Sequence, residues 1–181
     1  MIKNTKKGFT LIETLVAIAI LLLAVTAPLS LANKSLNSAS LSKQQIIASF
    51  LAQEAMEYIR NVRDENVLKH NGSWLHPDSG IQFCFNGKCT VEPTGTSGTD
   101  KIKKCQETGG SCLPLRFDPS NGVYSYSDGG DTEESIYTRF AQMDEIENDE
   151  EVAVLVTVSW QGTNGANYEV VARENLTNWQ F

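Results

Sequence analysis

Residues 9–32 read FTLIETLVAIAILLLAVTAPLSLA, and within these 24 positions Glu13 is the only charge. As a helix rising ~1.5 Å per residue the run would reach ~36 Å, enough to cross a bilayer core of ~30 Å. No face of it is polar, so it is built to be surrounded by apolar matter rather than to cover one side of a core. Upstream, residues 1–8 (MIKNTKKG) hold Lys3, Lys6 and Lys7 and no acid. Lysines on the short leading side predict that this end stays cytoplasmic and that the rest of the chain lies outside.

Glu13 separates the readings of this segment. A secretory signal would have a shorter apolar run and a clean small-residue cut, whereas the best small-residue site here ends at Ala27, directly before Pro28. A plain anchor gains nothing from an acid, which costs about 2.5–3.5 kcal/mol at a helix centre on insertion scales and less near the end. The string Lys6-Lys7-Gly8-Phe9-Thr10-Leu11-Ile12-Glu13 resembles the prepilin signature of type IV pilins and type II secretion pseudopilins. The resemblance implies that a prepilin peptidase cuts between Gly8 and Phe9 on the cytoplasmic side and methylates the Phe9 amine. It implies leader charge at Lys6 and Lys7, and an assembly role for Glu13. It implies partners as well: other pilin or pseudopilin subunits, the peptidase and an inner-membrane assembly platform. The expected itinerary is single-pass in the inner membrane before assembly, then an extracytoplasmic filament used in adhesion, motility, DNA uptake or protein secretion. Residues 48–57 (ASFLAQEAME) are also similar to the PilV-type minor pilins and I-type pseudopilins. The physics agrees with the resemblance. Cleavage removes the leader lysines and frees an amine that can neutralise Glu13 of its own chain or of a neighbour, and an ion pair in an apolar bundle fixes register.

Pro28 lies inside the helical run and predicts a kink or a locally melted stretch around residues 23–30. From Asn33 the chain turns amphipathic: Leu36, Ile47, Leu51, Ala55, Ile59 and Val62 recur at mostly fourfold spacing against a polar face. One helix over residues 9 to about 63 is expected, half in the membrane and half packed on a head domain. Beyond Asn66, short apolar runs alternate with turn residues. Strands are expected at 81–85, 88–92, 113–117, 123–127, 135–144, 152–161 and 167–176, with 152–161 central. Residues 94–104 are expected to form a surface loop. Short connections imply antiparallel pairing. The fold class is therefore α+β: a leader at 1–8, a transmembrane and assembly helix at 9–32, its amphipathic half at 33–63, and a β-rich head at 64–181.

Across all 181 residues the composition is globular, 41% hydrophobic and 20% charged, with a net charge of −7. That acidity repels phosphate and argues against nucleic acid as a general partner. Cys84, Cys89, Cys105 and Cys112 are disulfide candidates on the side expected to be outside. An Asn86-Gly87 hairpin would set Cys84 opposite Cys89 and leave Cys105 to close a loop with Cys112. The nested pairing, Cys84–Cys112 with Cys89–Cys105, is the alternative, and the spacings fit zinc poorly. Type IV pilins often pair cysteines around a loop near the C-terminus, a feature not carried over, since no cysteine follows Cys112. His70 and His76 read as loop histidines, Lys101, Lys103 and Lys104 as a small basic cluster, and 144–151 as a solvated acidic turn. Residues 128–133 and 144–151 offer oxygen ligands of the kind calcium takes. No nucleophile triad or phosphate loop is present, so the reading is a structural protein without cofactor or metal. The rival reading is a membrane-anchored extracytoplasmic binding protein whose head does the work.

Overall fold

The computed structural model describes residues 8–69, 74–75, 77–85, 87–94, 101–105, 112–127 and 129–179. Lys6, Lys7, His70, His76 and Asn86 lie outside them. One helix, α1 (Leu11–Lys69), is followed by 3-10 turns at Pro77–Ser79 and Ile81–Cys84. The strands are β1 (Cys89–Val91), β2 (Ile102–Lys104), β3 (Arg116–Asp118), β4 (Val123–Ser125), β5 (Glu133–Glu134), β6 (Tyr137–Glu147), β7 (Glu151–Gln161) and β8 (Asn167–Thr177). The chain divides into two compact units, Met1–Lys43 and Gln44–Phe181.

In the first unit the described structure is the start of α1, and its apolar side chains from Leu11 to Leu31 are exposed on every side. The helix is long and apolar enough to cross a membrane. Pro28 sits within it, yet residues 23–30 are helical throughout, so the melting expected there does not occur. One missing N–H, the one that would reach the carbonyl of Ala24, does not stop a run of strong helix formers on both sides.

In the second unit the C-terminal part of α1 buries Ala48, Leu51, Ala52, Ala55, Met56, Ile59, Val62 and Val67. The larger sheet of this unit has five antiparallel strands in the order β2-β1-β6-β7-β8. β7 is bonded on both sides, and Val152, Val154, Val156, Val158 and Trp160 are its buried face. Fully burying each valine contributes roughly 1.5–3 kcal/mol. A smaller sheet, β4-β3-β5, stands beside it. One link to the five-stranded sheet is Leu115, whose amide donates to the Tyr137 carbonyl at 2.8 Å and whose side chain is fully buried. The architecture is α+β, a helix packed on antiparallel sheet.

Three expectations are corrected. Residues 81–84 are a 3-10 turn, not a strand. In a strand Ile81 and Phe83 would share a face. Here Ile81 and Cys84 are buried while Phe83 is exposed, the i, i+3 pattern of a 3-10 turn. Gly80 starts it at φ 79°, so close to β2 that a Cβ there would sit 2.5 Å from the Ile102 carbonyl oxygen. Second, the end of the expected loop is strand β2, because Ile102 pairs with Val91 and both are fully buried. Third, α1 continues six residues past 63 to Lys69. The buried amide of Asn66 donates to the Trp74 carbonyl at 3.0 Å and to Ser79 Oγ at 3.1 Å, so its side chain ties the helix end to the following turn rather than ending the helix.

Candidate processing and assembly site

The segment from Gly8 to Thr14 is where the sequence concentrates its chemistry. Gly8, Phe9 and Thr10 precede the helix, and Phe9 is 80% exposed. Thr10 caps it: its carbonyl accepts from the amides of Glu13 at 3.1 Å and Thr14 at 3.2 Å, and its Oγ1 accepts from the Glu13 amide at 3.3 Å. Thr14 Oγ1 donates to the Leu11 carbonyl at 2.8 Å. Thr10 was not singled out above, although Thr-x-x-Glu is a helix-start signature. Glu13 lies in the first turn, where the helix dipole favours a carboxylate. Around it Leu11, Ile12, Leu15 and Val16 are exposed apolar surface. The segment therefore presents an accessible backbone, a capped helix start and one acid in an apolar sleeve.

Gly8 needs no glycine for its own fold: a Cβ there would meet nothing within 4 Å, and its φ lies outside the left-handed region. The backbone around it is open to an external reader.

The head holds the remaining candidates. The disulfides are Cys84–Cys89 and Cys105–Cys112, with Cα–Cα distances of 4.9 Å in both. All four sulfurs are consumed, which removes the zinc alternative along with the nested pairing. Cys84 reaches Cys89 from the 3-10 turn, not from across a strand pair. Among the described residues no cluster of three or more His, Cys, Asp or Glu could hold a metal ion. The acidic stretch is the tip of the β6–β7 hairpin. It is tied down by Trp74 Nε1 donating to Asp149 Oδ1 at 2.9 Å and by Asn178 Nδ2 donating to the Asp149 carbonyl at 3.1 Å.

A residue the sequence reading passed over organises the head. Arg139 is fully buried on β6. Its Nη1 donates to the Leu51 carbonyl at 3.0 Å and to Glu54 Oε2 at 2.6 Å, both on α1, and its Nη2 donates to the Val91 carbonyl on β1 at 2.7 Å. The signal was available: Tyr137, Arg139, Ala141 and Met143 alternate on one face, so an arginine stood in a core row. At the N-terminal end of this unit, Tyr137 Oη donates to the Gln44 carbonyl at 3.2 Å and Trp160 Nε1 to Gln44 Oε1 at 3.1 Å. Near its C-terminal end Arg60 Nε donates to Glu174 Oε1 at 3.1 Å. That pair raises the arginine's pKa above its ordinary value, chiefly through hydrogen bonds to Glu174 and then Glu57.

Residues 3–27 match the family model of the prokaryotic N-terminal methylation motif. Neither a curated protein nor a solved structure matches the chain. On that motif, the chain carries the prepilin-type signal of type IV pilins and pseudopilins.

Proposed function

We propose that this protein is a structural subunit of a type IV pilus or a related secretion filament, of the minor pilin or pseudopilin kind. The observation that carries the reading is the coincidence of the methylation motif at residues 3–27 with the start of α1, whose large apolar side chains from Leu11 to Leu31 are exposed. The chain inserts as a single-pass precursor in the cytoplasmic membrane. A prepilin peptidase cuts between Gly8 and Phe9 and methylates Phe9. The head folds and oxidises its cysteines outside. Other subunits and the assembly platform then exchange lipid contacts on α1 for helix contacts.

Glu13 is the register device in this account. Once Phe9 is the first residue, its amine and the Glu13 carboxylate flank the same capped helix start. In a dry helix bundle each charge lacks water, and a neighbour's amine neutralises the acid only at one axial position. Removing one partner of such a buried pair costs roughly 3–5 kcal/mol, more than insertion gains from losing the acid.

Glu13→Gln tests this, because it keeps shape and removes charge. The variant is expected to be cleaved and membrane-resident yet depleted from sheared filaments. If the helix were only an anchor, Glu13→Gln and Glu13→Leu would both leave the protein's distribution unchanged.

A further inference from the structure

The edge strand β8 carries a row of side chains that is complementary to itself when reversed. Asn167, Glu169, Val171, Arg173 and Asn175 lie on one face and are all exposed, with Val171 49% exposed at the centre. On either side of Val171 the row holds an opposite charge and then an asparagine. β8 closes one side of the sheet and is bonded to β7 alone. Residues 162–166 before it and 178–179 after it are described. Among the described residues no backbone other than that of β7 bonds to it.

Neither charge of the row is used within the molecule. The side chains of Glu169 and Arg173 have no ion pair or hydrogen bond among the described residues. They stand four residues apart, about 14 Å at ~3.4 Å per residue, beyond the screening length of about 8 Å at physiological salt. On β7 the residues opposite Glu169, Val171 and Arg173 are Ser159, Thr157 and Leu155, none of them charged.

We propose that β8 pairs edge to edge with β8 of a second copy of this chain, antiparallel and centred on Val171. In that register Glu169 of each copy faces Arg173 of the other, Val171 faces Val171, and Asn167 faces Asn175. Opposite charges placed so stabilise a strand pair, and like charges weaken it. A slip of one residue turns the rows to opposite faces. A slip of two sets each charge against a neutral residue, and a slip of four brings like charges together. Parallel pairing in register stacks like on like. The contact uses the same surface on both copies, so a two-fold axis closes it as a pair. Gln44 on α1 accepts from Trp160, the neighbour of Tyr168, and Arg60 donates to Glu174, so residues 44–60 of the helix run the same way as β8. The two-fold axis therefore sets those helix segments antiparallel. Subunits along one filament are related by rotation and rise and keep their helices in one sense. The pair accordingly joins heads of two separate filaments or two free molecules, and it stands without the filament reading.

A one-strand contact about 37 Å long and about 10 Å deep buries roughly 700 Å² in all, under the roughly 1,000 Å² of a lasting interface. The test therefore traps the pair covalently. The native cysteines are all paired, so Val171→Cys in the full-length chain in detergent adds one thiol. Across the axis it faces its own copy at the roughly 4.5–5.5 Å Cα separation of opposed strand residues, which a disulfide spans. Mild oxidation is expected to give a disulfide-linked dimer. Adding Glu169→Arg, or instead Arg173→Glu, sets like charges together twice and is expected to lower the dimer yield roughly tenfold, the scale of two exposed ion pairs turned repulsive. Mixing those two variants makes each chain complementary to the other and is expected to restore the dimer. Protease resistance of each chain checks that the head is folded. Charges on an edge strand also discourage unwanted pairing. In that role alone either variant keeps a charged edge and leaves cross-linking unchanged, alone or mixed, a result that would overturn the proposal. Folded Val171→Cys protein that gives no dimer would overturn it as well. So would a mixture as poor as either variant, which assigns the edge to a different partner.

Discussion

Gly8 and Arg139 show how differently two residues can matter. No contact within the fold requires the glycine at position 8, since a side chain there has open space. Gly8→Val is therefore expected to leave the head as stable as before while blocking removal of residues 1–8. A precursor that runs at full length, still membrane-bound, is the expected gel result, and normal processing in cells with an active prepilin peptidase would place the cut elsewhere. Arg139 is the opposite case. Truncation to Ala strips a buried donor from the Val91 carbonyl and separates β6 from α1 and β1, an expected loss of about 3–5 kcal/mol. Glu54 is partly exposed, so Glu54→Gln keeps an acceptor and is expected to cost only about 1 kcal/mol. Urea midpoints of the detergent-solubilised full chain, followed by the buried Trp74 and Trp160, measure both. Equal losses would mean that the ion pair, rather than the carbonyl contacts, carries the clasp.

The head's tyrosines add a pH limit. Burial pushes Tyr58, Tyr126 and Tyr137 up to about 12, with Glu65 adding at Tyr58 and Tyr124 at Tyr137, while Arg139 pulls Tyr126 partly back. A raised pKa means the fold favours the protonated phenol. The stabilisation is complete below the unfolded value near 10 and is lost as pH rises from there to about 12. Tyr126 Oη also donates to the Arg139 carbonyl. Stability against urea is expected to be flat from neutrality to pH about 10 and then to fall. The fall should be shallower in Tyr126→Phe, and an unchanged slope would remove Tyr126 from the alkaline transition.

At the level of elements, legibility followed length. The three long strands β6, β7 and β8 were readable because each carries several turns of period-2 alternation, and β7 showed its two-sided burial through Ala153 and Leu155. The helix was readable from its repeat of apolar positions. Three-residue strands carry too few alternations to read: β2 offers one apolar side chain, Ile102, between lysines. Residues 81–84 failed for a related reason, since four residues rich in apolar side chains suit a strand or a 3-10 turn equally until burial shows which positions face inward. The cysteine pairing depends on sequence closeness more than on strand geometry, so the local pairing survives the replacement of the hairpin by a turn. In the chain-entropy account a loop of six to eight residues contributes about 2–3 kcal/mol per disulfide. Replacing Cys84 and Cys89 together by Ala is expected to lower head stability by that amount while insertion and the cut at Gly8 proceed. A variant with an unchanged urea midpoint would show that the 3-10 turn is held by Ile81 and Gly80 alone.

For the molecule as a whole, the two units divide the work. The first presents exposed apolar surface with a single acid, Glu13, among it. The second is a disulfide-closed, acidic head whose core is complete without the first. Residues 3–27 carry the prokaryotic N-terminal methylation motif, and in the proposed assembly Glu13, exposed among exposed apolar side chains, is the one charge available to set register. The mature N-terminus is the most direct test of the central claim. Mass spectrometry of the N-terminal peptide from protein in sheared filaments should give N-methylated Phe9. A chain beginning at Met1, or at a residue near Pro28, would contradict it.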